Sequence, residues 1–129
     1  MRQARKLICA ALAIVVVFGL GVTLGQESEK HEGDGVFSVE GEIIDMACYV
    51  ANEAKGPDHA SCAKRCVKAG QPMGLLANDG TVYVLYANHR DGAPFEAAKE
   101  LAGTKVQLSG KLSTMSGIKG IEVQAVEAD

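Results

Sequence analysis

Three cysteines and a histidine are grouped in the middle of this chain as Cys48, His59, Cys62 and Cys66. His59, Cys62 and Cys66 are spaced i, i+3 and i+7. On a helix advancing about 100° per residue they fall within an arc of roughly 60°. Two thiols and an imidazole would then share one face, with Lys64, Arg65 and Lys68 turned away from it. Ala63 and Ala69 flank the stripe and leave room for another segment to approach. Cys48 comes just after the first strand, on a loop that must return to this helix, so a Cys3His set can assemble from Cys48, His59, Cys62 and Cys66. Thiolate and neutral imidazole together suit zinc or cuprous copper. Asp45, Met46 and Met73 stand nearby as outer partners. A carboxylate can accept a hydrogen bond from the ring of His59, and thioethers favour copper over zinc.

The same residues permit two other chemistries. A disulfide from Cys48 to Cys62 or Cys66 would staple the helix to the rest of a small exported domain and leave the third thiol free. Cys62 and Cys66, one helical turn apart, are poor partners for each other because helix geometry does not satisfy disulfide torsions. Alternatively, His59 could lower the pKa of Cys62 or Cys66 for redox exchange. That reading is the weakest, since the chain has no Cys-x-x-Cys and no βαβ pattern. It also has no Gly-rich phosphate loop, no Ser-centred nucleophile motif and no paired carboxylates. The balance is against an enzyme, and no catalytic or organic-cofactor residues are assigned. His31 reads as solvated linker, and His89 as a loop residue after a strand.

The elements that would carry these groups begin at Val36. Phe37, Val39, Gly41 and Ile43 alternate with Ser38, Glu40 and Glu42, the pattern of a half-buried strand. Asp45 to Lys55 has no period, and Asp45 can close the strand through an Asx-type turn. Asp58 as N-cap and Gly70 as stop predict a helix over His59 to Ala69. Met73–Ala77 and Thr81–Ala87 flank Asn78-Asp79-Gly80 and predict a hairpin. Pro94 opens a helix that Gly103 closes. Two further alternating runs, at Val106–Leu112 and Ile121–Ala125, are joined by a turn within Ser113–Gly117. The expected core is Phe37, Val39, Ile43, Leu75, Val82, Val84, Leu85, Val106, Leu108, Leu112, Ile121 and Val123.

Five strands with a helix between the third and fourth predict a mainly β fold, a five-stranded OB-fold-like Greek-key barrel with two short helices. The cysteine-bearing helix is the extra one, inserted between strands 1 and 2. Gly41 and Gly110 are the expected sites of sharp strand bending.

The amino terminus reads as an address. Arg2, Arg5 and Lys6 precede an uncharged run from Leu7 to Leu24, and Thr23 and Gly25 suit a cleavage before Gln26. Residues 1–25 are therefore expected to be a signal peptide, or residues 7–24 an uncleaved inner-membrane anchor. Residues 26–35 read as a flexible linker and residues 36–127 as the domain, placed in the periplasm or secreted. Loss of the first 25 residues would leave ten of the 13 basic residues against 16 acidic ones, a net charge of about −6. An acidic domain without tryptophan is ill suited to nucleic acid or to an anionic membrane surface. The expected partners are a metal ion or an envelope protein, with membrane contact only through an uncleaved N-terminal segment.

Gly41-Glu-Ile-Ile-Asp45-Met-Ala-Cys48-Tyr49, His59-Ala-Ser-Cys62-Ala-Lys-Arg-Cys66, Gly70-Gln-Pro-Met-Gly-Leu75 and Val82-Tyr83 together give this chain a family likeness. From about Val36 to Glu127 it resembles small exported bacterial OB-fold-like domains whose roles are undefined. The resemblance implies the barrel and an envelope location, and it implies no activity.

Overall fold

A computed structural model describes residues 35–129. The expected leader or anchor, nearly all of the linker, and His31 lie outside the described residues. Strand β1, Phe37–Asp45, leads directly into helix α1, Met46–Asn52. A 3-10 turn at Pro57–His59 then opens helix α2, Ala60–Lys68. Strands β2, Met73–Ala77, and β3, Val82–Ala87, form a hairpin, and helix α3, Ala93–Glu100, precedes the long hairpin of β4, Lys105–Met115, and β5, Ile118–Ala128. The strands close in the order β1-β2-β3-β5-β4. Pairing is antiparallel except between β3 and β5, where Val84–Ala87 runs parallel to Gly120–Val123. This is an OB-fold-like barrel with three short helices, one more than expected.

The additional helix is α1. Its start is fixed by Asp45, whose Oδ1 accepts hydrogen bonds from the N–H groups of Ala47 at 2.9 Å and Cys48 at 3.4 Å. A carboxylate satisfying the free N–H groups of a first turn is a strong N-cap. Glu53 ends the helix in the left-handed region at φ 53°, a place where glycine is the usual signal. The expected turn at Asp45 is thus the cap of a helix seven residues long. In α2 the N-cap position falls on His59 rather than Asp58.

Alternation along β1 holds: Ile43 is buried between Leu75 of β2 on one side and the α3–β4 turn on the other. The core cluster unites Ile43, Leu75, Leu85, Val106, Leu108, Ile121 and Val123 with Met73, Tyr83, Ala63 and Val67. Phe37, Val39 and Leu112 pack against its margin. Val82 and Val84 are the exceptions among the expected core residues. Strand β3 buries Tyr83 and Leu85 instead, so Val82 and Val84 are only half-buried. A run of consecutive β-formers carries no alternation from which to choose a face.

Both expected bending glycines sit where strands cross closely. A Cβ on Gly41 would meet the carbonyl oxygen of Leu76, and one on Gly110, at the β4 bulge, the carbonyl oxygen of Glu122. The turn before β4 also places α2. Gly103 has φ 79°, and any side chain there would run into Ala60. Its N–H donates to the carbonyl of Ile43 at 2.7 Å, so the start of α2, the α3–β4 turn and β1 are locked at one point.

Candidate metal centre

Helix α2 carries two neighbouring stripes. Ala63 and Val67 face the barrel core at 1 % exposure each. Cys62 and Cys66 each precede one of them and therefore lie about 100° around the helix. Both are half-buried, as is His59. The second stripe meets α1, which holds Cys48 because Asp45 caps its first turn. Two further bonds fix α1 and the segment after it. The N–H of Met46 donates to the carbonyl of Pro72 at 2.9 Å. The N–H of Gly56 donates to Oε1 of Glu42 at 2.5 Å. Cys48 thus comes to α2 from a helix, not from the loop the sequence suggested.

The three thiols converge: the sulfurs of Cys48, Cys62 and Cys66 lie within 4.8 Å of one another. A second group shares Cys48, with donor atoms of Asp45, Cys48 and His59 also within 4.8 Å of one another. The two groups are joined through Cys48, His59 being grouped with Cys48 and Asp45 rather than with Cys62 or Cys66, and each group could hold a metal ion. All three cysteines are free thiols. Both expected outer methionines adjoin Asp45, Met46 in the chain and Met73 as its partner across the β1–β2 pair. Met73 is buried in the barrel core, and the sulfur of Met46 lies against Gly74. His89 is exposed on the β3–α3 loop.

Two polar atoms inside the cluster have no partner. Asp45 is fully buried, and its Oδ2 is unpaired, as is Nε2 of His59. An unpaired buried polar group costs on the order of 1–3 kcal/mol, and a carboxylate costs more. Both unpaired atoms belong to residues of the donor group that contains Cys48. Sequence reasoning missed one participant. Arg65, expected on the far side of α2, brings Nη2 back to 3.6 Å from Sγ of Cys62. Its i, i+3 spacing from Cys62 was the available signal. Lys68 does turn away and pairs with Glu100 at 2.6 Å.

The electrostatics follow from the crowding of anionic groups. The carboxylate of Asp45, reinforced by burial, pushes the Cys48 thiol up to about 12. Burial first, then Asp45 and Cys62, raise Cys66 as well. Burial acts to raise Asp45 too, but the Cys48 thiol, the Ala47 N–H and the Cys66 thiol outweigh it and hold the carboxyl below its usual value. Neither thiol satisfies Oδ2 with true hydrogen-bond geometry, so that atom stays unpaired. A carboxyl depressed in the folded state adds stability above its ordinary pKa of 3.8 and loses it as pH falls through the lowered value. Asp45→Ala should therefore destabilise the domain at neutral pH by about 1 kcal/mol through the lost cap. Asp45→Asn should keep most of that. Thermal unfolding of the two variants at pH 7 measures the difference.

A closed OB-fold-like barrel bearing a thiol, imidazole and carboxylate cluster on an inserted helix pair defines the class of this protein. No protein-family model matches the chain, and neither a curated protein nor a solved structure matches it.

Proposed function

We propose that this is a non-enzymatic metal-binding module, exported from the cytoplasm, that takes up zinc or copper through Cys48, His59, Cys62 and Cys66. The observation that carries the reading is the pair of unpaired buried atoms, Asp45 Oδ2 and His59 Nε2, beside three mutually close sulfurs. The barrel core contains none of the cysteines, so the ion is cargo or regulator rather than the staple that makes the domain fold. A redox role through Cys66 is disfavoured because burial, Asp45 and Cys62 raise its thiol, and a protonated thiol is a poor nucleophile.

Metal content and free-thiol titre of the intact protein test this directly. Substoichiometric metal in a reduced, folded chain given zinc or copper would sink it. A chain two hydrogens lighter than its reduced mass would show instead that Cys48 is bonded to one α2 cysteine. A metal must displace the protons that Asp45 and burial hold on the thiols. Loading at pH 7 should therefore release on the order of three protons, one from each thiol that becomes a ligand. Apparent affinity should rise with pH, because each step upward removes competing protons. Calorimetric titrations in buffers of different ionisation enthalpy count the protons.

A further inference from the structure

The donors that reach the cluster discriminate between the two ions. Cuprous copper is soft and monovalent, and thiolates and thioethers suffice for it. Zinc is divalent and borderline, and it takes imidazole nitrogen and carboxylate oxygen as readily as sulfur in tetrahedral sites. Of the methionines, Met73 lies opposite Asp45 in the β1–β2 pair and is 2 % exposed, and the sulfur of Met46 lies against Gly74. What the fold brings within 4.8 Å of Cys48 is a ring nitrogen of His59 and an oxygen of the fully buried Asp45, and Nε2 of that ring is unpaired.

Charge points the same way. Three thiolates and Asp45 place four negative charges in a partly desolvated pocket. The only cation in contact with these groups among the described residues is Arg65, on Cys62. A divalent ion leaves one less uncompensated charge than a monovalent one, and charges held away from water are costly when unpaired.

Resting on the metal-binding reading above, we propose that the ion is zinc, held by the sulfurs of Cys48, Cys62 and Cys66 with Nε2 of His59 as fourth ligand. Asp45 is the outer anion that favours a double positive charge. Arg65 offsets the thiolate of Cys62. The side chain of His59 makes no capping hydrogen bond to α2, so it is free to serve the metal without loosening the helix.

The test uses the reduced full chain. Cobalt(II) serves as spectroscopic probe, and zinc is measured by competition with a chromophoric chelator. One cobalt ion per chain should give tetrahedral d–d bands and thiolate-to-metal charge transfer. That charge transfer should fall by about one third in each of Cys62→Ser and Cys66→Ser, because intensity follows the number of thiolate ligands. His59→Ala should weaken zinc by about tenfold or more, while cuprous affinity stays unchanged. His59→Gln, checked by circular dichroism for an intact fold, should behave likewise. Six-coordinate cobalt, or zinc affinity indifferent to both His59 variants, would overturn the zinc assignment. So would a chain isolated from cells supplied with both metals that carries copper and no zinc, although the metal-binding reading would then stand. Neither metal bound by a folded, reduced chain would remove both.

Discussion

Cys48→Ser should abolish tight metal binding while leaving the barrel folded. Cys48 belongs to both donor groups, the three sulfurs and the Asp45–Cys48–His59 set. Its loss therefore breaks each of them, whereas loss of Cys62 or Cys66 leaves the second set complete. Outer partners of a metal site cost 10–100-fold when removed, and the ligand common to both groups should exceed the upper end of that range, about a hundredfold. Stability without metal should barely change. Cys48 is half-buried, it lies outside the core cluster, and serine is close in size, so a shift within about 0.5 kcal/mol is expected. Chelator competition measures the first effect and thermal unfolding the second. A large fall in metal-free stability would mean that the cysteine holds the fold together.

Leu108→Ala should have the converse signature. Leu108 is fully buried at the centre of β4, opposite Val39 of β1 and Val126 of β5. Truncation removes apolar contact and leaves a cavity that a closed barrel cannot collapse around, a loss of about 3–5 kcal/mol. For a domain of this size each kcal/mol lowers Tm by roughly 4–8 °C, so a fall on the order of 15 °C or more is expected. Where the variant remains folded, metal affinity should match the parent, because none of the donor residues belongs to the core cluster that Leu108 helps to build. Calorimetry at several metal concentrations separates the two quantities.

The contrast between these variants reflects what the amino-acid pattern could and could not reveal. Strand identity was legible where polar and apolar residues alternate, as in Phe37–Ile43 and Val106–Leu112, and the Asn78-Asp79-Gly80 turn placed its hairpin correctly. The face of β3 was not legible, since Val82, Tyr83, Val84 and Leu85 are all good strand formers and only closure of the barrel selects Tyr83 and Leu85. Helix α1 escaped notice because it is short and ends on Glu53 rather than on glycine. The helical spacing of His59, Cys62 and Cys66 did foretell their convergence. The geometry of the site added what spacing cannot contain: the carboxylate of Asp45 caps α1 with one oxygen and offers the other to the cluster. Arg65 was misassigned although i+3 spacing sets it only about 60° around the helix from Cys62, a gap its long side chain spans.

Cys48 and the α2 thiols are carried by two helices joined only by an exposed connection that contains Lys55. An ion bridging them turns that connection into a reversibly buckled strap. Trypsin cutting after Lys55 would open the strap, with α1 still held by Asp45 and Pro72 and the segment after it by Glu42. In the buckled form the ion would hold the connection close and slow that cut, and a chelator would restore its rate. The rate of nicking at Lys55 therefore reports whether the buckle is closed, while the nicked barrel stays together.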